Sequence, residues 1–146
     1  SMINDKNADI LWGVAGLSGN GAAEAALESG KAWFIGVDSD QELTLPADQA
    51  AITLTSGLKN VGKSIIWLFD EWDAGRTYWG KEVRLGISEG GVGIVIDKNF
   101  AKVAPKAVQD AVLAAQADIV AGKIVVPTAI GDTTNAVVTL RDSLQP

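Results

Sequence analysis

The sequence predicts an α/β domain: a mostly parallel sheet with helices on both faces and an antiparallel hairpin at one edge. Three observations carry the prediction. Short, bounded apolar runs of the kind that form buried strands recur along the chain. Between them lie stretches with helical spacing or rich in good helix formers. The two kinds of segment alternate, as β-loop-α-β units require. With 146 residues, 47% of them hydrophobic and 21% charged, the chain matches one globular domain in size and composition.

The first run, Asp9 to Ala15, reads as a buried strand. Gly16-Leu17-Ser18-Gly19-Asn20-Gly21 follows as a loop, and Ala22 to Ser29 as a helix that Gly30 ends. Ala32 to Val37 is the second strand, closed by Asp38. Asp40 to Gln49 is polar, contains Pro46 and reads as a loop before a third strand, Ala51 to Ser56. Val61 to Trp72 places apolar residues at 61, 65, 68, 69 and 72, which is helical spacing. Glu82 to Ile87 alternates like a strand with one wet face, and Ser88 to Gly91 turns it into Val92 to Ile96, giving the edge hairpin. Pro105 opens a helix that runs to about Ala121 and stops at Gly122. Lys123 to Pro127 is extended, and Ala136 to Leu140 is a last strand-like run.

Composition excludes several function classes. The chain has 12 basic and 18 acidic residues, a net charge of −6, which disfavours phosphate backbones and anionic membrane surfaces as partners. It has no cysteine and no histidine. Disulfides, thiolate metal sites and the commonest general base are therefore absent, and neither a metal nor a cofactor is expected. No apolar run reaches the ~18–20 residues that span a bilayer. Ser1 before Met2 reads as a cloning remnant, residues 1–7 as remnant or linker, and the natural start as cut away.

Gly57-Leu58-Lys59-Asn60-Val61-Gly62-Lys63-Ser64 satisfies the P-loop pattern after a strand and before a helix. In that reading backbone N–H groups cradle phosphates, Lys63 reaches the outer ones, Ser64 holds Mg²⁺, and Asp97 is a metal-binding acid at the end of the apolar strand Val92 to Ile96. The bland alternative is a helix start with an exposed Lys and Ser. The Gly16–Gly21 loop offers free N–H groups for an anion or a ligand hydroxyl, against the plainer reading of a glycine turn. Asp38 ends a strand at the carboxyl edge of the expected sheet, where open α/β sheets bind ligands. With Asp40 it forms either a catalytic pair of acids or one ligand acceptor beside a turn residue. Among five tryptophans, Trp33, Trp67 and Trp72 read as core; Trp12, just before the Gly loop, is placed either to pack or to stack on a planar ligand.

Several stretches together resemble one family. Ala8-Asp9-Ile10-Leu11-Trp12-Gly13-Val14-Ala15-Gly16, Ile35-Gly36-Val37-Asp38-Ser39-Asp40-Gln41, Leu54-Thr55-Ser56-Gly57-Leu58-Lys59-Asn60-Val61, Gly90-Gly91-Val92-Gly93-Ile94 and Gly122-Lys123-Ile124-Val125-Val126-Pro127 resemble, in order, the carboxyl-terminal lobe of the basic membrane protein family. These are purine-nucleoside-receptor-like substrate-binding lipoproteins of ABC transporters. The resemblance covers residues 8–128 and leaves 129–146 as a tail with one extra strand.

The resemblance implies a type I periplasmic-binding-protein lobe that binds a ligand and is not an enzyme. By carry-over, Trp12 would stack on a nucleoside base and Asp38 would accept from the ribose hydroxyls, while Lys59 and Gly16 would line the pocket. It further implies an amino-terminal lobe and an ABC permease as partners, pairing of two copies if that lobe is missing, and an extracytoplasmic, membrane-anchored or periplasmic location. Gly62 and Ser64 are not required in the family, so on this reading the P-loop match is accidental. Its rivals are the P-loop nucleotidase and a stand-alone sensing domain. Leu17 departs from the family's usual second glycine, and on this reading the sequence is expected to lack both the amino-terminal lobe and the helix that normally precedes Ala8.

Overall fold

The computed structural model describes residues 2–127 and 133–143; Ser1 and parts of the expected tail, 129–132 and 144–146, lie outside them. Met2–Lys6 forms a helix (α1), Ile10–Trp12 strand β1, Asn20–Ser29 helix α2, Trp33–Asp38 strand β2, Ala47–Ala51 helix α3 and Thr53–Lys59 strand β3. Val61–Asp73 (α4), Val92–Ile94 (β4), Lys98–Val103 (α5), Lys106–Val120 (α6) and Thr134–Ser143 (α7) follow. The sheet has the order β1-β2-β3-β4, parallel except for the antiparallel β3–β4 edge. The α/β class, the parallel sheet and the antiparallel edge are those the sequence predicts.

The core forms where short side chains let a helix approach the sheet. Ala23 and Ala26 of α2 are buried with Leu11, Ala32 and Phe34. Phe34 is fully covered, and burying a side chain of that size contributes roughly 1.5–3 kcal/mol. Gly30 ends α2 in the left-handed conformation and donates its N–H to Leu27 O. Met2–Lys6, expected as remnant or linker with no helix before Ala8, is instead a helix directly preceding that residue, and its Ile3 joins this core. The opposite side of the sheet stays more open: Ile10 and Trp12 are exposed, and Trp33 and Ile35 are half-buried.

Four expected elements differ. Glu82–Ile87 is not a strand, so the edge is not a local hairpin. Strand β3 runs three residues past its expected end, through Gly57-Leu58-Lys59, and takes β4 as its antiparallel neighbour. Residues 86–92 instead close on themselves, with Gly91 and Val92 N–H groups donating to Gly86 O. Strand β1 stops at Trp12, because Val14 and Ala15 turn back onto the carbonyls of Trp12 and Gly13. The run Ala136–Leu140 is helical, within α7. Thr133 Oγ1 accepts the Ala136 N–H at its start, and a short β-branched run does not by periodicity alone distinguish strand from helix.

Trp67 and Trp72 also depart from the core role expected of them. No residue of α4 is buried. Trp67 packs on Tyr78 at 5.3 Å between ring centroids, and Trp72 meets Trp79 edge-on at 5.5 Å. These rings form a separate aromatic cluster outside the sheet core.

Candidate functional site

Parallel register brings three strand ends to one rim. Trp12 aligns with Ile35, Asp38 aligns with Leu58, and Lys59 ends β3. This is the carboxyl edge at which open α/β sheets present ligand sites. Trp12 is 62% exposed. Its indole reaches across to β3, where a Cβ on Gly57 would lie 3.7 Å from Cζ2.

Asp38 leaves the sheet in an uncommon conformation. Its φ is +68°, and the Ser39 N–H donates to Val37 O at 2.8 Å. The result is a three-residue turn of the strained, positive-φ kind. The turn brings Asp38 Oδ1 to 2.8 Å from Lys59 Nζ, with both side chains at least half exposed. A pair this open contributes about 0–1 kcal/mol to stability. Its chemical content is a carboxylate with hydrogen-bond acceptor capacity left over, next to a cation.

Beside the rim lies an open cleft of about 430 Å³, bordered by Gly16, Leu17, Asn20, Asp38, Ser39 and Gln41 among others. The volume is within the range of small-molecule sites. Of the four residues predicted from sequence, Asp38 and Gly16 line this cleft. Lys59 reaches it only through its ion pair with Asp38, and Trp12 stands on the same rim without lining it. Leu17 projects from the opposite wall, 90% exposed. Gly13 and Gly19 allow that wall to fold tightly, since a Cβ on Gly19 would come within 2.3 Å of Gly13 O.

A polar network beneath the cleft has no counterpart in the sequence reading. Gln41 Oε1 accepts the Val37 N–H at 2.9 Å, and Nε2 donates to Asn20 Oδ1 at 3.2 Å. The Gln41 backbone N–H donates to Ser56 Oγ at 3.1 Å. Gly36 must lack a side chain here: a Cβ would lie 2.5 Å from Ser56 Oγ and 2.8 Å from Gln41 Oε1. Between Phe34 and Ile35 the β2–β3 register shifts by one residue, which sets Ser56 opposite Gly36 on the face that buries Phe34 and Thr53. The available signal was the uninterrupted polar run Ser39-Asp40-Gln41 directly after a strand.

Asp40 is not a catalytic partner of Asp38. Its Oδ1 accepts the Glu42 N–H at 3.2 Å and caps the turn Gln41–Leu43, while Oδ2 pairs with Lys98 at the start of α5. That contact with Asp40 raises the Lys98 ammonium above its ordinary range, and burial raises the carboxyl of neighbouring Glu42. Both effects belong to a clip between this turn and α5.

The geometry removes the P-loop. Residues 57–59 extend β3, and Asn60 alone separates it from α4, so no loop is left to wrap a phosphate. Asn60 donates its N–H to Gly91 O and its Nδ2 to Gly90 O. Ser64 Oγ donates to Asn60 O within its own helix, and Lys63 lies alongside Gly90. Asp97 precedes α5. Among the described residues no cluster of acids could hold a metal, and no helix is long and apolar enough to cross a membrane.

Residues 1–129 match the family of PnrA-like ABC transporter substrate-binding proteins. Basic membrane protein B of Borreliella burgdorferi is 32% identical over 97 residues, 64% of this chain and 27% of that protein. An ABC transporter nucleoside-binding protein, BmpA of Lactococcus lactis, is 31% identical over 132 residues, 82% of this chain and 36% of its own length. Basic membrane protein A of Borreliella afzelii is 34% identical over 121 residues, covering 82% and 35%. The chain thus spans about a third of the length of the curated relatives it matches. Members of this family are substrate-binding proteins and not enzymes. A mostly parallel sheet with an antiparallel edge, an open cleft at its carboxyl rim and a family match over nearly the whole chain together place this protein in the PnrA-like family of ABC transporter substrate-binding proteins.

Proposed function

We propose that this chain forms one wall of a nucleoside-binding cleft that delivers its ligand to an ABC permease. One observation carries the reading: Asp38, turned out of β2 at the carboxyl rim, presents a carboxylate into an open cleft beside Lys59. Two carboxylate oxygens can accept from two vicinal hydroxyls, as a ribose requires. Trp12 on the same rim offers a face to a planar base, and Gly16 lets the ligand approach the facing backbone. The nucleoside-binding relative from Lactococcus lactis supports this choice of ligand. The second wall comes from another lobe of a longer polypeptide or from a second copy, and the family context favours an extracytoplasmic site of action.

Amide NMR detects the weak binding expected of a single wall. Inosine, adenosine or guanosine at millimolar concentration should shift the Gly16, Asp38 and Ser39 resonances, and Asp38→Ala should abolish the response. ATP with Mg²⁺ should leave Asn60 to Ser64 unmoved. Shifts at Lys63 and Ser64 with ATP, or no nucleoside response at Asp38, would overturn the proposal.

A further inference from the structure

We propose that Gln41 is the positioning residue of this site: its one carboxamide holds Asp38 in its strained turn and ties that turn to the facing wall. The inference rests on the reading of Asp38 as the ligand's acceptor. A non-glycine residue at positive φ persists only where its surroundings over-determine it. The exposed Lys59 pair is too weak to do so alone. Strand geometry shows what does. In a parallel sheet alternate residues bond to the same neighbour. Ile35 O accepts the Gly13 N–H, so the Val37 N–H faces the side of β1. Strand β1 has already ended, its last pair being Trp12 with Ile35. The Val37 N–H would lack a partner there, and a half-buried amide requires one. Gln41 Oε1 supplies it at 2.9 Å. With that amide fixed, Val37 O is aimed to close the turn on the Ser39 N–H.

The other end of the same carboxamide donates to Asn20 Oδ1, the first residue of α2 and part of the opposite wall. The Gln41 backbone is held in turn by Ser56 Oγ. Gly36 leaves the space through which the carboxamide passes. One side chain at the border of the cleft therefore fixes both the direction of the acceptor and the spacing of the two walls.

The test uses three variants of the chain read by NMR, with inosine as probe. Gln41→Leu keeps the volume and removes both hydrogen bonds. Gln41→Glu keeps the acceptor, and Asn20 can rotate its amide to donate to it. Asn20→Ala removes only the strut. In Gln41→Leu the Val37 amide should exchange at least about tenfold faster, the loss expected for one buried hydrogen bond. The Asp38 Cα and Cβ shifts should leave the left-handed range, and inosine affinity should fall about tenfold. Gln41→Glu should restore the Asp38 shifts and most of the affinity, and Asn20→Ala should keep the Val37 protection. A folded Gln41→Leu chain with unchanged Val37 exchange and Asp38 shifts overturns the proposal. Should Gln41→Leu fail to fold, loss of the Asp38 shifts in Gln41→Glu overturns it equally. If the parent chain ignores inosine while Gln41→Leu still releases the Asp38 turn, the nucleoside reading falls and the clamp stands.

Discussion

Helices α2 and α4 both follow strands that end at the site's rim, yet they meet opposite fates. Helix α2 is alanine-rich and weakly apolar, and it buries Ala23 and Ala26 against the sheet. Helix α4 carries Val61, Ile65, Leu68, Phe69 and Trp72, all at least 40% exposed, and buries nothing. Apolar content therefore does not decide which helix is packed; the connection does. Helix α2 is fed by the folded-back Gly16–Gly19 turn, which returns it over β1 and β2. Helix α4 leaves β3 after Asn60 alone and gathers residues 76–79 into its own aromatic cluster. Size scaling gives about 7,100 Å² of accessible surface for a folded monomer of 15.2 kDa, whereas this chain exposes 9934 Å². An unpacked helix of this kind accounts for part of the excess.

The largest effect that would break the contrast comes from truncating the packed side. Phe34→Ala should cost about 3–5 kcal/mol in urea denaturation, a large part of a typical domain's stability. Ile65→Ala on α4 should cost less than about 0.5 kcal/mol, since the side chain is half exposed and alanine is the better helix former. Equal costs would mean that α4 is packed in solution. Next in size, Ala23→Leu should destabilise by about 1–3 kcal/mol through overpacking, because Ala23 is fully covered.

The same contrast explains what was legible in the sequence. The run Ala32–Val37 and the alanine helix before it are local patterns with a glycine stop, and both were placed almost to the residue. The strand ends were not. The extension of β3 through Gly57-Leu58-Lys59 depends on β2 and β4 on either side, and a glycine followed by a lysine gives no local hint of it. For the same reason the P-loop pattern, which the residues match to the letter and only the family resemblance marks as accidental, has no loop in three dimensions. Asp38 and Gly16, which line the cleft, stand out in the sequence because strand ends and glycine turns are visible locally. Gln41, Asn20 and Ser56 meet only through tertiary structure, across separations of up to 21 residues.

At the rim, backbone strain and function should separate. Asp38→Gly removes the side chain that disfavours φ +68°, while Asp38→Ala keeps that penalty and loses the carboxylate. The glycine variant should be more stable than the alanine variant by about 1 kcal/mol in thermal or urea unfolding. Both should lose nucleoside binding. The reverse order of stability would show that the turn is not held at positive φ.

The smallest effect expected is a pH dependence confined to the α4 side. The Arg76 guanidinium donates to both Glu71 carboxylate oxygens at 2.5 Å, and Tyr78 Oη donates to Oε2 at 2.8 Å. These bonds, Arg76 first, lower the Glu71 carboxyl from an ordinary 4.5 to about 2. A carboxylate depressed on folding stabilises above its unfolded value and loses that contribution as the group protonates. The end of α4 and its Trp67–Tyr78 contact should therefore hold at neutral pH and loosen between about pH 4.5 and 2. Near-ultraviolet circular dichroism of the tryptophans reads that cluster directly. Glu71→Gln should show the loosened signal already at neutral pH and no further Glu71-dependent change on acidification. Phe34 sits in a core with no ionisable member, so its packing should not follow this titration, and a transition common to both regions would mean that α4 and the core unfold as one unit.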